Sequence, residues 1–235
     1  MSLTEDAITK IKAMIIDGRL RPGDRLPREA DMAVSLGISR GSLREAVSAL
    51  SMIRVLDVRQ GDGTYVTSLR PEILAESIGF IIDFHQDSSV LHLFEVRRIL
   101  EPAAASLAAR IMPDEDAAQL VALAGRLPGE AGDVAALVAN DIEFHHRIAQ
   151  ASGNPMLCSL IDSMSGRTQR ARLWRGHTQH DAITRTSHEH MAIASAIRDR
   201  QPEAAAAWTA AHIAGVEAWL RNALYDDEDA QAAML

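Results

Sequence analysis

The stretch Gly37-Ile38-Ser39-Arg40-Gly41-Ser42-Leu43-Arg44-Glu45-Ala46 decides how the front of the chain folds. Gly37 ends one short helical pattern, since glycine takes the positive φ of a helix C-terminus without steric cost. Ser39 stands where an N-cap belongs, its oxygen able to accept from the orphan amides of the next first turn. Behind it Leu43, Val47 and Leu50 share one side of a second helix. Arg40 and Arg44, four residues apart, project together from the exposed side. Two short helices joined by a tight turn, the second presenting an arginine pair, predict a helix-turn-helix with a DNA-reading helix.

Outward from this stretch, Ala7, Ile8, Ile11, Met14 and Ile15 fall at helical spacing, and Gly18 stops that helix. Arg21-Pro22-Gly23-Asp24 reads as a turn. Leu26-Pro27-Arg28-Glu29 opens the next helix, which is expected to carry Ala33, Val34 and Leu36 inward. After the reading helix, 55–59 and 64–67 predict two strands, with Gln60-Gly61-Asp62-Gly63 as the hairpin turn. Three helices and a hairpin make a winged helix-turn-helix over 1–68, followed by a linker at 69–73.

Composition sets the frame. The chain has 235 residues, 47% of them apolar, and a net charge of −8. Residues 1–70 hold 11 Lys and Arg against 9 Asp and Glu, a net +2, and the remainder is −10. The electrostatic footprint for nucleic acid is therefore local, carried by clustered arginines rather than bulk charge. No run reaches the ~18 apolar residues that a membrane span needs, and no leader pattern precedes the first helix. With one cysteine, Cys158, no internal disulfide is possible. These features lead us to expect a cytoplasmic protein.

From 74 to 228 everything reads as helix. Alanine is abundant, strand-like alternation is absent, and breakers recur at Pro113, Pro128-Gly129, 152–155 and Pro202. The patterns predict helices near 72–84, 88–111, 114–126, 131–152, 155–175, 179–200 and 203–224, packed as an all-α antiparallel bundle. Residues 229–235 are expected to form a disordered tail. The fold class is thus mainly α, with one small β-hairpin.

Three of these helices carry polar residues inside apolar stripes: Val134, Val138, Asp141, His145, Ile148; then Ile183, Thr186, His190, Ile193, Ile197; then Trp208, His212, Val216, Trp219. Burying such groups unpaired costs several kcal/mol, so they need partners. Asp141 and His145, one turn apart, can chelate one ion, with His190 and His212 closing from two other helices. One carboxylate and three imidazoles suit Zn²⁺, Ni²⁺ or another first-row divalent ion better than Ca²⁺ or Mg²⁺. The alternative is a buried Asp/His hydrogen-bond network without metal, or histidines satisfied separately.

The residues at 19–29, 36–46 and 59–66 resemble the GntR family of bacterial transcription regulators, in order and without gaps. The resemblance implies operator binding as a homodimer, with Arg28, Ser39, Arg40, Ser42, Arg44 and the wing-tip Gly61 as DNA contacts. Arginines can pair bidentately with guanine or clamp phosphate, and serines suit phosphate oxygens. Three departures stand out. Ala30 occupies a position where relatives often carry an arginine, Arg54 replaces a glycine after the reading helix, and Asp62 puts an acid at the wing tip.

The stretches 93–105, 140–155 and 189–197 resemble the ligand-binding domain of the FadR subfamily. This implies a helical domain that holds a metal through Asp141, His145, His190 and His212, beside a small carboxylic or sugar acid effector. Arg97 is the candidate for the effector carboxylate, with an intrahelical pair to Glu101 as the competing role. His146, His177, His180 and His188 are expected at the surface, and Arg167, Arg170, Arg172 and Arg175 as a solvated face. His85 and His92 are assigned no role. The function expected is a metal-containing, effector-responsive regulator, most often a repressor in this family, and not an enzyme. A purely structural metal and a metalloenzyme are the alternatives.

Overall fold

The computed structural model describes residues 2–71, 89–126, 134–179 and 181–232. The helix expected at 72–84, His85 and His180 lie outside these residues. The chain divides into two compact units, Met1–Ser77 and Ile78–Leu235.

The first unit contains α1 (Leu3–Ile16), α2 (Glu29–Leu36), α3 (Arg40–Met52), β1 (Leu56–Arg59) and β2 (Gly63–Val66). Ser2 and Glu5 form a capping box on α1, each side chain accepting from the other's backbone amide at 3.1 and 2.7 Å. Gly37 closes α2 at φ 65°, and Ser39 caps α3 by accepting from the Ser42 amide at 3.0 Å. The strands are antiparallel, pairing Leu56 with Val66 and Arg59 with Gly63. A side chain at Gly63 would collide with Arg25, whose Nε lies 2.5 Å from the position a Cβ would take. The core gathers Ala7, Ile11, Leu26, Met32, Leu43, Leu50, Leu56 and Val66 from all five elements and the loop before α2. This is the winged helix-turn-helix of the sequence reading, with one change: Met32 and Ala33 face inward, whereas Val34 is exposed. Arg54 takes the left-handed conformation at φ 56°. The turn after α3 therefore keeps the geometry suited to glycine and bears the modest strain of a side chain there.

The second unit is helical: α4 (Ser89–Ile111), α5 (Asp114–Ala124), α6 (Val134–Ala151), α7 (Pro155–Ser165), α8 (Gln169–Thr178), α9 (Ala182–Arg198) and α10 (Pro202–Ala232). Ala105, Ala108 and Ala109 of α4 meet Phe144, Ile148, Ile193 and Ile197 in the largest core. Small side chains on one helix let its neighbours come close. The single helix expected at 155–175 is two helices, broken around Gly166, with buried Thr168 bonding back to the Met164 and Ser165 carbonyls. The last helix runs on to Ala232, through residues expected as tail.

Candidate functional site

Asp141 and His145 lie one turn apart on α6, His190 sits on α9 and His212 on α10, and all four are buried. One ligand atom from each lies within 4.8 Å of all the others. The arrangement centres on a single oxygen: His190, His145 and His212 place Nε2 at 3.3, 3.7 and 3.9 Å from Asp141 Oδ1. Nε2 of His145 and of His190 is buried and has no hydrogen-bond partner among the described residues. Leaving such an atom unsatisfied costs ~1–3 kcal/mol. Three imidazole nitrogens converging on one carboxylate oxygen are a donor set that a first-row divalent cation would satisfy, so the residues fit a metal.

A second ring of groups orients these donors. His145 Nδ1 lies 2.7 Å from Glu101 Oε2, and His212 Nδ1 lies 2.8 Å from Glu189 Oε2. A carboxylate at Nδ1 fixes the ring and turns Nε2 toward the centre. Arg172 pairs with the other Asp141 oxygen, Oδ2, so the two oxygens have separate tasks. Burial pushes the Asp141 carboxyl up, but the Arg172 guanidinium and the imidazoles outweigh it and hold it well below the usual carboxylate range. Burial brings His190 down to about 4 and lowers His212 as well. Burial also works against a proton on His145, yet Glu101 and Asp141 overcome it and raise its pKa. Burial thus favours the neutral, coordinating form of His190 and His212, and a bound cation would compete with the proton on His145.

Beside this cluster is a cavity of about 30 Å³, lined by Phe94, Arg97, Asp141, Arg172, Arg175 and His212 among others. Arg97 donates to Glu101 at 2.5 Å and to Thr168 at 3.3 Å, so it makes the intrahelical pair and also lines the cavity. Arg172 and Arg175, expected on a solvated face, are buried. The break at Gly166 is the cause, because it starts α8 afresh and turns Thr168, Ala171, Arg172 and Arg175 inward. Their spacing of three and four was the signal available in the sequence. Arg97 Nη2, Arg172 Nε and Arg175 Nη2 are buried donors with no hydrogen-bond partner among the described residues. Neither orienting carboxylate is singled out by the apolar stripes: Glu101 on α4 reads as a mate for Arg97, and Glu189 precedes His190 on α9. On α10 the buried stripe is Thr209, His212, Ile213, Val216 and Leu220; Trp208 is 47% exposed and does not belong to it.

In the first unit Arg28, Ser39, Arg40, Arg44 and Gly61 are exposed. Ser42 differs: it is buried, with its hydroxyl 2.9 Å from Ser39 Oγ, so it braces the cap instead of standing in the exposed row. Arg44 forms an ion pair with Glu29 at 2.8 Å. At the wing, the Asp62 carboxylate accepts from the Tyr65 hydroxyl at 2.9 Å, and Arg59 lies over the Tyr65 ring at 4.3 Å. The acid at the wing tip is therefore hydrogen-bonded within the hairpin.

The family described as bacterial regulatory proteins, gntR family, matches residues 3–66, and the FCD domain matches residues 92–215. The HTH-type transcriptional regulator LutR of Bacillus subtilis is 30% identical over 93% of this chain and 100% of its own length. The galactonate operon transcriptional repressor of Escherichia coli is 26% identical over 87% of this chain and 91% of its own. A solved structure of Streptococcus agalactiae GntR has a TM-score of 0.64 at 27% identity, covering 91% of this chain and 98% of that one.

Proposed function

The chain belongs to the gntR family of bacterial regulatory proteins and carries an FCD domain, and from that membership we propose a homodimeric, effector-responsive repressor of operator DNA. The family is one of transcriptional regulators, which sets the metalloenzyme alternative aside. In this reading α3 enters the major groove with Arg40 and Arg44 at base edges or phosphates. Arg28 and Ser39 hold the backbone, and Gly61 brings the wing close. Ser42 acts through Ser39, not on DNA.

Asp141, His145, His190 and His212 hold a divalent ion, Zn²⁺ or Ni²⁺ by donor type. When bound, the ion supplies a positive centre that can accept an oxygen of an organic acid. The observation that carries this reading is the pair of buried imidazole nitrogens facing Asp141 Oδ1, next to three arginines with buried donors, all without a hydrogen-bond partner among the described residues. Arg97, Arg172 and Arg175 are the protein's own groups for the effector carboxylate. One relative is by name a galactonate operon repressor, in keeping with an acid effector.

A cavity of about 30 Å³ has room for roughly two water molecules. An organic acid enters only if the helices lining it move apart, and that movement is the signal available to the dimer. The same tightness favours a second reading, an ion that only staples α6, α9 and α10.

A thermal-shift screen of zinc-loaded full-length protein with small carboxylic and sugar acids, repeated after chelation, separates the two. A rise in Tm that needs both acid and metal, together with altered operator footprinting, supports the effector reading. Metal-dependent stability with no acid-dependent shift leaves the staple.

A further inference from the structure

His145 faces the buried centre, while its neighbour His146 faces another way, since successive helical residues are turned by about 100°. His146 meets α7 on a half-exposed face, where Nδ1 lies 3.0 Å from both oxygens of Asp162. Cys158, one turn before Asp162 on α7, places Sγ 3.5 Å from Asp162 Oδ2. The three ligand atoms all lie within 4.8 Å of one another. α7 is held at its start by Asn154, whose side chain accepts from the Met156 and Leu157 amides, with Pro155 at the first helical position. The Cys158–Asp162 face is therefore set on a well-capped helix.

We infer that His146, Cys158 and Asp162 form a second metal site, distinct from the buried one, which takes a thiophilic divalent ion such as Zn²⁺ or Co²⁺. Bond lengths of about 2.0–2.3 Å in a tetrahedral ion space its ligands roughly 3.3–3.6 Å apart. The observed His–Asp and Cys–Asp separations of 3.0 and 3.5 Å need only small side-chain adjustments to meet this. Thiolate, imidazole and carboxylate together select zinc-like ions over Ca²⁺ or Mg²⁺. The side chains of His146 and Asp162 are 41% and 36% exposed, which leaves the fourth coordination position to solvent. The ion at this site exchanges more readily than one in the buried centre. Binding requires the thiol to lose its proton to solvent as the metal–sulfur bond forms.

Cys158 is the only cysteine in the chain, and the buried centre has no sulfur ligand, so a thiolate–metal signal reports this site alone. Co²⁺ alone is titrated into metal-free full-length protein, following the number of ions bound and the near-ultraviolet thiolate-to-cobalt charge-transfer band. The expected result is two ions per chain with the band present. Cys158→Ser should abolish the band and remove one equivalent, and His146→Gln should weaken or abolish the band. The double variant His190→Gln with His212→Gln should lose the buried ion and keep the band, so failure of one site is read separately from failure of the other. A wild-type protein that binds cobalt without the band overturns the inference. So does Cys158→Ser that retains both equivalents.

Discussion

The two units place their candidate functional side chains in opposite surroundings. On α3, Arg40 and Arg44 stand in solvent, and Arg44 forms an exposed ion pair with Glu29. On α6, α9 and α10, Asp141 and the three histidines are buried, as are Glu101, Arg97 and Arg172 around them. Exposed pairs are screened and contribute little, about 0–1 kcal/mol. Buried charges depend on their partners, because removing one leaves the other desolvated and uncompensated. The exposed arginines of α3 can therefore be changed with little effect on folding, whereas the buried residues of the helical centre cannot.

The largest expected effect tests that contrast at its strongest point. Asp141→Asn leaves the Arg172 guanidinium buried without its counter-charge and should destabilise the metal-free protein by about 3–5 kcal/mol. Urea unfolding measures it, and wild-type stability would mean the centre is not organised around that carboxylate. Metal removal is next. Zinc at a hundredfold excess over its Kd should stabilise the protein by about 2.7 kcal/mol, and His190→Gln with His212→Gln should remove the gain. Calorimetry with and without a chelator would show whether that gain exists.

Arg44→Ala should leave the unfolding midpoint unchanged and weaken specific operator binding by about 1–3 kcal/mol. A footprint retained at the same protein concentration would remove Arg44 from the reading face. Glu29→Gln releases Arg44 and should change either quantity by less than about 1 kcal/mol. A larger loss of operator affinity in that variant would make Glu29 a positioning residue and narrow the difference between the units.

Burial also gives the helical centre a pH signature. The His190 pKa falls from 6.5 in the unfolded chain to about 4 in the folded protein. Between those values the unfolded state binds the extra proton, so metal-free stability falls as pH drops through that window. Unfolding midpoints of wild type and His190→Gln should converge toward pH 4; parallel curves would show that His190 does not titrate this way.

Much of this was legible in the sequence, for identifiable reasons. Gly37 and Ser39 declare a helix end and a cap by backbone chemistry alone, and both take those roles. The His and Asp residues at stripe positions were legible because an imidazole in an apolar face has no cheap local explanation. Val34 was misplaced because an eight-residue helix offers too few turns to fix its inward face. Arg172 and Arg175 were misplaced because the break at Gly166 carries no proline, so a continuous pattern put them outside.

Local backbone preference and hydrophobic periodicity, both carried by neighbours in the chain, determined the winged helix-turn-helix, the helical second unit and the four candidate ligands. Tertiary structure alone decided the rest. It set which oxygen of Asp141 faces the imidazoles, which carboxylates orient the His145 and His212 rings, and that Arg97 serves both Glu101 and the cavity. These are distances between residues up to about seventy positions apart, and they exist only once several helices have packed against one another.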